Sequence, residues 1–437
     1  MIRFLYNLLW PVGLLVLLPG YLRKMFRRGG YRRKFGQRFG FYGADVRQRL
    51  QSKPVIWVHA VSVGEVMIAL KLIRVMLRLD PGTQIALTTT TTTGFAFAEK
   101  NASPETEVLY SPLDFWPVVH QAFSVIRPEL LLLVEAEVWP NLMAETRQRR
   151  VPVALVNARL SPRSERRFTR FRRFVSPLFR QLDLICLPEE ADVERWIALG
   201  AGRERLKLTG SVKFDPADAE HSATNGLDSA NPPSMGEQPD RPVLFGGSTH
   251  PGEEEILARI YLQLRTDFPQ LLLFVAPRHV ERAKEVKKRM EMFSLGVSLC
   301  SDSRDVSAAT ADCLILDRTG ELRQWYSIAS VVFVGKSLSA IGGQNPVEPI
   351  VAGKPVIFGP HMENFAALAR ELVAHRGAIE VADEETLRSA IRTLLTEPDA
   401  RRELVENARH IIDGHRGATE RTVRLVLDLT KQEKVIR

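Results

Sequence analysis

Short apolar runs alternate with longer amphipathic stretches along most of this chain, and one polar segment divides the alternation into two sets. Such a pattern marks helices packed on a parallel sheet, because a strand covered on both faces needs an unbroken apolar run. In the first set, strands are expected over 55–59, 85–89, 130–135, 152–156, 184–187 and 206–209, with helices over 66–79 and 191–199 among them. From Pro216 to Pro242 no apolar period survives; Asp, Ala, Ser, Asn, Gly and Pro dominate, as in a linker or surface insertion. A second set of strands follows over 243–245, 271–276, 313–316, 331–334 and 355–358, and 399–434 reads as one or two charged amphipathic helices. At 437 residues the chain is too long for one core. The expectation is an α/β protein with two Rossmann-like domains, 36–215 and 242–397, a polar linker over 216–241 and terminal helices over 398–437. In such sheets ligands bind just beyond the carboxyl ends of the strands.

Residues 1–35 are different. The run 4–22 is almost wholly apolar, broken by Asn7, Pro11 and Pro19, and is followed by Arg23, Lys24, Arg27, Arg28, Arg32, Arg33 and Lys34. Only Arg3 precedes it, the reverse of a secretory signal. The segment is expected to be a membrane anchor. It either spans the bilayer, with the basic side and the rest of the chain in the cytoplasm, or lies in the headgroups kinked at Pro11.

A net charge of +9 calls for an acidic partner, and nucleic acid, anionic lipid and a phosphorylated substrate all qualify. Cys186, Cys300 and Cys313 lie far apart, which fits small buried side chains in a reducing compartment better than zinc or disulfides. GxGxxG after the first strand, GxxxxGK[ST], HExxH and GxSxG are all missing. Asp-x-Asp is missing too, so leaving-group charge has to be met by helix termini and basic side chains.

Several strand exits carry candidate chemistry. His59-Ala-Val-Ser62-Val-Gly64-Glu65 places a carboxylate where it would take a proton from an attacking hydroxyl, with Gly64 letting an acceptor approach the backbone. Equally, Glu65 is an acid in a helix's first turn, complementing the macrodipole. Glu135 and Glu137 stand at the rim of a site or merely face the dipole of the next helix. Ser248-Thr249-His250 suits a phosphate or carboxylate oxygen, or ordinary capping. Pro277-Arg278-His279 offers a guanidinium at a strand end, or a solvated arginine. In Gly342-Gly343-Gln344-Asn345-Pro346-Val-Glu348, Asn345 fits an N-cap, Pro346 the first helical position and Glu348 the third, while the two glycines let backbone N–H groups face a ligand. Another strand-to-turn exit runs from Phe358 to Phe365. Arg163, Arg166, Arg167, Arg170, Arg172, Arg173 and Arg180 surround Phe168, Phe171, Phe174 and Phe179, giving either a basic face for lipid headgroups or a solvated face over a core stripe.

Together with Glu135-Ala-Glu-Val-Trp-Pro-Asn141, Asn157-Ala-Arg159-Leu-Ser161 and Gly210-Ser-Val-Lys-Phe-Asp215, these segments resemble the 3-deoxy-D-manno-octulosonic acid (Kdo) transferase family of lipopolysaccharide assembly over essentially the whole chain. The resemblance implies a GT-B fold, two domains facing across a cleft, and CMP-Kdo as donor. It also implies a lipid A precursor (lipid IVA) as acceptor, anionic inner-membrane lipids as partners, no nucleic acid, no cofactor and no metal, and the cytoplasmic face of the inner membrane as location. Glu65 would be the general base, with inversion at the anomeric carbon. Ser62, Gly64, Glu135, Glu137 and Arg159 would lie on the acceptor side; Ser248, Pro277, Arg278, His279, Gly342, Gly343, Asn345 and Glu348 would form the donor pocket. Glu348 is expected on the ribose hydroxyls and the helix start at Asn345 on the phosphate. Gln344 stands where many relatives are expected to carry histidine, and the segment 216–242 is longer than a minimal linker. A soluble nucleotide-sugar epimerase of the same fold and a membrane-tethered scaffold are the other classes; the first has no use for an anchor and the second none for CMP.

Overall fold

A computed structural model describes residues 6–8, 10, 20, 34–50, 53–160, 162–216, 241–302 and 311–436. The chain divides into two compact units, Met1–Asp215 with Gly417–Arg437, and Pro216–Arg416. The first holds a seven-stranded sheet built from β1 (Val55–His59), β2 (Gln84–Thr89), β3 (Thr106–Tyr110), β4 (Pro128–Val134), β5 (Val153–Val156), β6 (Leu184–Leu187) and β7 (Leu206–Leu208). Its order is β3-β2-β1-β4-β5-β6-β7, and every pairing is parallel. Side chains of β1 and β4 alternate between two cores. Val55, Trp57, Leu131 and Leu133 enter one, while Ile56, Val58, Leu130 and Leu132 enter the other. This is the period of two a doubly covered strand imposes.

The second unit repeats the plan with β8 (Val243–Thr249), β9 (Leu272–Pro277), β10 (Val297–Leu299), β11 (Cys313–Ile315), β12 (Val331–Val334), β13 (Val356–Phe358) and β14 (Ile379–Glu380), in the order β10-β11-β9-β8-β12-β13-β14. All its pairings are parallel as well. Phe245 and Phe274 stack at 4.6 Å between centroids in its core. In each sheet the strand order reverses once, between β1 and β4 in the first and between β8 and β12 in the second. Loops leaving strands at such a reversal frame the crevice in which α/β sheets bind ligands.

Strands expected over 55–59, 184–187 and 331–334 form over those residues, and the others differ at their ends. β3, β10 and β14 were not expected; β10 and β14 are short, and β3 opens on the polar pair Thr106-Glu107 in place of an apolar run. The terminal helices part company. Pro398–Gly414 stays with the second unit, whereas Ala418–Ile436 returns to the first. There Val423, Val426 and Leu427 join the core beneath the helix Val63–Leu79, and the Asp215 carboxylate accepts the N–H groups of Gly417 and Thr419 at 3.0 and 2.7 Å. Of the linker expected over 216–241, all but Pro216 and Arg241 lies outside the described residues.

The anchor expected over 4–22 also lies outside them, apart from Tyr6, Asn7, Leu8, Trp10 and Gly20. Among the described residues no helix is long and apolar enough to cross a membrane. Asn7 pairs its amide reciprocally with that of Asn141, both bonds at 2.9 Å, and Trp10 stacks on Phe115 at 4.9 Å. The polar break in the apolar run thus has a partner in the folded unit. All three cysteines are buried, and burial pushes the thiols of Cys186 and Cys300 up to about 12.

Candidate functional site

Glu65 sits in the first turn of the helix that follows β1, where its capping role is realised. Ser62 is the N-cap; its Oγ accepts the Glu65 N–H, and the Glu65 carboxylate closes a capping box. Glu65 Oε2 accepts the Val61 N–H at 2.8 Å, and Oε1 accepts the Ser62 N–H at 3.3 Å and the Ser62 hydroxyl at 2.8 Å. Those bonds favour the ionised form. Burial outweighs them, and with the charges of Glu135 and Glu137 it pushes Glu65 up to about 7. A carboxylate titrating there is poised to take a proton at neutral pH. A side chain at Gly64 would meet nothing nearer than Ser62 Oγ at 3.9 Å, so the backbone there is approachable.

Glu135 and Glu137 leave β4, the strand beside β1, and so share the reversal point with Glu65. Glu135 holds a left-handed φ of 64°, and its N–H donates to Val156 O at 3.0 Å. Burial raises both carboxyls. Arg159 and Lys213 oppose the shift at Glu135; at Glu137 a 2.9 Å bond from Trp139 Nε1 and the charge of Arg167 do so. Lys213 is itself pushed down by burial and held up by Glu135. Its loop is fixed by buried Asn157, whose Oδ1 accepts the Val212 N–H at 3.1 Å. Three carboxylates and two cations therefore meet at the carboxyl edge of this sheet. A cavity of about 200 Å³ lies alongside, lined by Tyr6, Trp10, Trp57, His59, Thr90, Asp114 and Trp139 among others. His59 is buried and its imidazole is pushed down to about 4, so it is neutral at pH 7, with Nδ1 2.9 Å from Thr88 Oγ1.

The basic stretch forms two short helices, Pro162–Arg170 and Arg172–Phe179. Its aromatic residues divide. Phe179 is buried, against Phe168 at 5.4 Å and Trp196 at 5.3 Å, whereas Phe171 and Phe174 are 49% and 53% exposed. Arg166, Arg167, Arg170, Arg172, Arg173 and Arg180 are exposed around them.

In the second unit the N–H groups of the glycine pair, expected to face a ligand, are taken internally. In the turn after β8, open to ligand binding or to capping, so is the N–H of His250. Glu253, fully buried, accepts the N–H groups of His250 (2.9 Å), Lys336 (2.8 Å), Ser337 (3.0 Å) and Leu338 (3.2 Å). An internal carboxylate fills the nest an external anion would use. Gly342 N–H donates to Glu363 Oε2 at 2.7 Å and Gly343 N–H to Lys336 O at 2.9 Å. Both glycines are needed for shape: their φ values are 130° and 67°, and a Cβ at Gly343 would lie 2.4 Å from Met362 Sδ. The following helix runs Val347–Val351, one residue later than expected, with Pro346 before its first turn. Asn345 still caps it, Oδ1 accepting the Val347 N–H at 3.0 Å and Nδ2 donating to Glu348 Oε1 at 3.1 Å.

Ser248 (φ 54°) lies at the irregularity in the β8–β9 pairing, between Gly247 and Thr249. Pro277 closes β9, and Arg278 and His279 are exposed just beyond it, the Arg278 N–H donating to Thr249 O at 3.0 Å. Gln344 Nε2 is 3.2 Å from His250 Nε2, and His250 is pushed down to about 4 by burial and then by Lys336. Lys213, which faces Glu135, is not singled out by the sequence: it lies in the loop Val212-Lys213-Phe214, well past the end of β7, where no local pattern marks it.

Residues 33–216 match the family described as 3-Deoxy-D-manno-octulosonic-acid transferase (kdotransferase). The chain is 32% identical over 404 residues to the 3-deoxy-D-manno-octulosonic acid transferase of Haemophilus influenzae, covering 92% of this chain and 91% of that one. With the enzyme of the same name from Bordetella pertussis it shares 33% identity over 410 residues, 92% and 93% of the two chains. Among solved structures, UDP-GlcNAc 2-epimerase from Neisseria meningitidis, bound to UDP-GlcNAc, matches with a TM-score of 0.57 over 86% of this chain and 100% of its own. At 12% identity that likeness concerns the fold alone.

Proposed function

The chain belongs to the 3-deoxy-D-manno-octulosonic acid transferase family, glycosyltransferases of lipopolysaccharide assembly, and from that premise we propose that its first unit holds a lipid A precursor while its second holds CMP-Kdo. Glu65 is the general base. It takes the proton of an acceptor sugar hydroxyl, the oxygen attacks the anomeric carbon of Kdo from the face opposite CMP, and CMP leaves with the bonding electrons, giving inversion. One observation carries this reading: Glu65 stands at the sheet's reversal point with its carboxyl raised to about 7 by burial and by two neighbouring carboxylates. Such a base contributes ~10²–10⁴ in rate.

Arg159 and Lys213 supply positive charge beside Glu135 for anionic groups of the acceptor. The aromatic cavity shares Trp139 with the Glu137 loop and suits the apolar face of a sugar or the start of an acyl chain. The exposed Phe171 and Phe174 within their arginine border support contact with anionic lipid at the cytoplasmic face of the inner membrane, alongside the N-terminal anchor. On the donor side, Ser248, Pro277, Arg278, His279, Asn345 and Glu348 surround the nucleotide, with Glu348 on the ribose hydroxyls. The reading calls on no metal and no cofactor.

The test is incubation of purified protein with CMP-Kdo and a tetraacylated, bisphosphorylated lipid A precursor, followed by mass spectrometry. A product heavier by one or more Kdo residues is expected. An unchanged acceptor under conditions where a relative's enzyme converts it would sink the proposal.

A further inference from the structure

The loop that leaves β12 carries a lysine in a conformation glycine adopts more readily. Lys336 has a φ of 58°. It is held there from both sides, its N–H donating to Glu253 Oε2 at 2.8 Å and its carbonyl accepting the Gly343 N–H at 2.9 Å. The turn therefore specifies the backbone without help from the side chain, and nothing in the fold calls for lysine. Its ammonium group makes no ion pair among the described residues. Instead it lies across Gly342, where a Cβ would come within 3.2 Å of Nζ.

Position adds to this. β12 and β8 are the two strands at which the order of the second sheet reverses. Their exits approach so closely that a Cβ on Gly335 would lie 2.4 Å from Ser248 O. Lys336 thus stands at the mouth of the crevice where such sheets bind ligands. The nearby His250 feels its charge, being depressed first by burial and next by Lys336. Meanwhile the N–H groups of Lys336, Ser337 and Gly342 are taken by Glu253 and Glu363. An anion arriving at this loop finds those three donors occupied and the Lys336 side chain beside them.

We propose that Lys336 is a donor-binding residue whose ammonium group meets the phosphate of the cytidine nucleotide, replacing the backbone cradle that the internal carboxylates occupy. This rests on the second unit being the donor unit, and the test separates the two ideas. Lys336→Gly suits the left-handed backbone and keeps both main-chain bonds, so folding is preserved; unchanged thermal unfolding without ligand checks it. Calorimetric titration with CMP and with cytidine then reads the phosphate contribution alone. The wild-type chain is expected to bind CMP more tightly than cytidine. In Lys336→Gly, CMP affinity should fall at least about tenfold and lose most of its salt dependence, with cytidine affinity as in the wild type. Unchanged CMP affinity in the variant, or an equal loss for both ligands, would overturn the role of Lys336 alone. Wild-type protein that binds neither ligand would overturn the donor-unit reading and this proposal with it.

Discussion

The Ser62 hydroxyl donates to Glu65 Oε1 at 2.8 Å while the Glu65 N–H reaches back to Ser62 Oγ at 3.4 Å. One carboxylate therefore caps a helix and is held at the carboxyl end of a central strand. The cap fixes its rotamer, so on the proposed reading the base is positioned before any substrate arrives.

Because Glu65 is raised to about 7, kcat/KM should climb with pH along an acid limb with a midpoint near 7, set jointly with Glu135 and Glu137. Stability should run the other way. The folded chain keeps a proton on Glu65 that the unfolded chain has released, so this contribution is complete below about 4.5 and lost as pH rises through about 7, roughly 3 kcal/mol at most. Urea unfolding between pH 5 and 8 checks it: the wild type should lose more stability over that range than Glu65→Gln.

Gly343→Ala should destabilise the second unit by about 1–3 kcal/mol, since a Cβ would strike Met362 Sδ at 2.4 Å on a backbone with φ 67°. Denaturant titration reads the loss. An unaltered midpoint would mean that the turn is more pliable than its packing indicates.

Asn157→Ala removes the acceptor of the buried Val212 N–H and loosens the loop that carries Lys213. A loss of about 1–3 kcal/mol is expected, with a raised acceptor KM and an unchanged affinity for CMP. Titration of CMP into the variant separates that local effect from general unfolding.

Much of this was legible in the residues. β12 is an unbroken apolar run and β1 is one up to His59, both buried along their length, and such runs announce themselves. β14, only Ile379–Glu380, does not. The site was legible as residue types at strand exits, which is how Glu65, Glu135 and Glu137 were found. Their meeting follows from β1 pairing with β4, a contact no local pattern encodes. The internal bonds of the Gly342 and Gly343 N–H groups are hidden from the sequence for a related reason. Gly342 is satisfied by Glu363, 21 positions away, and the nest after β8 is filled by a side chain a turn further on. An apolar face on the last helix showed that it packs, but not that it crosses back to the first unit.

The most direct measurement is the initial rate of Kdo transfer by Glu65→Gln, with CMP binding recorded on the same preparation. Glutamine keeps one acceptor oxygen for the capping box and loses only one of the two backbone bonds made by the Glu65 carboxylate, so the fold and nucleotide affinity should survive while the rate falls by ~10²–10⁴. Transfer at the wild-type rate would contradict the account.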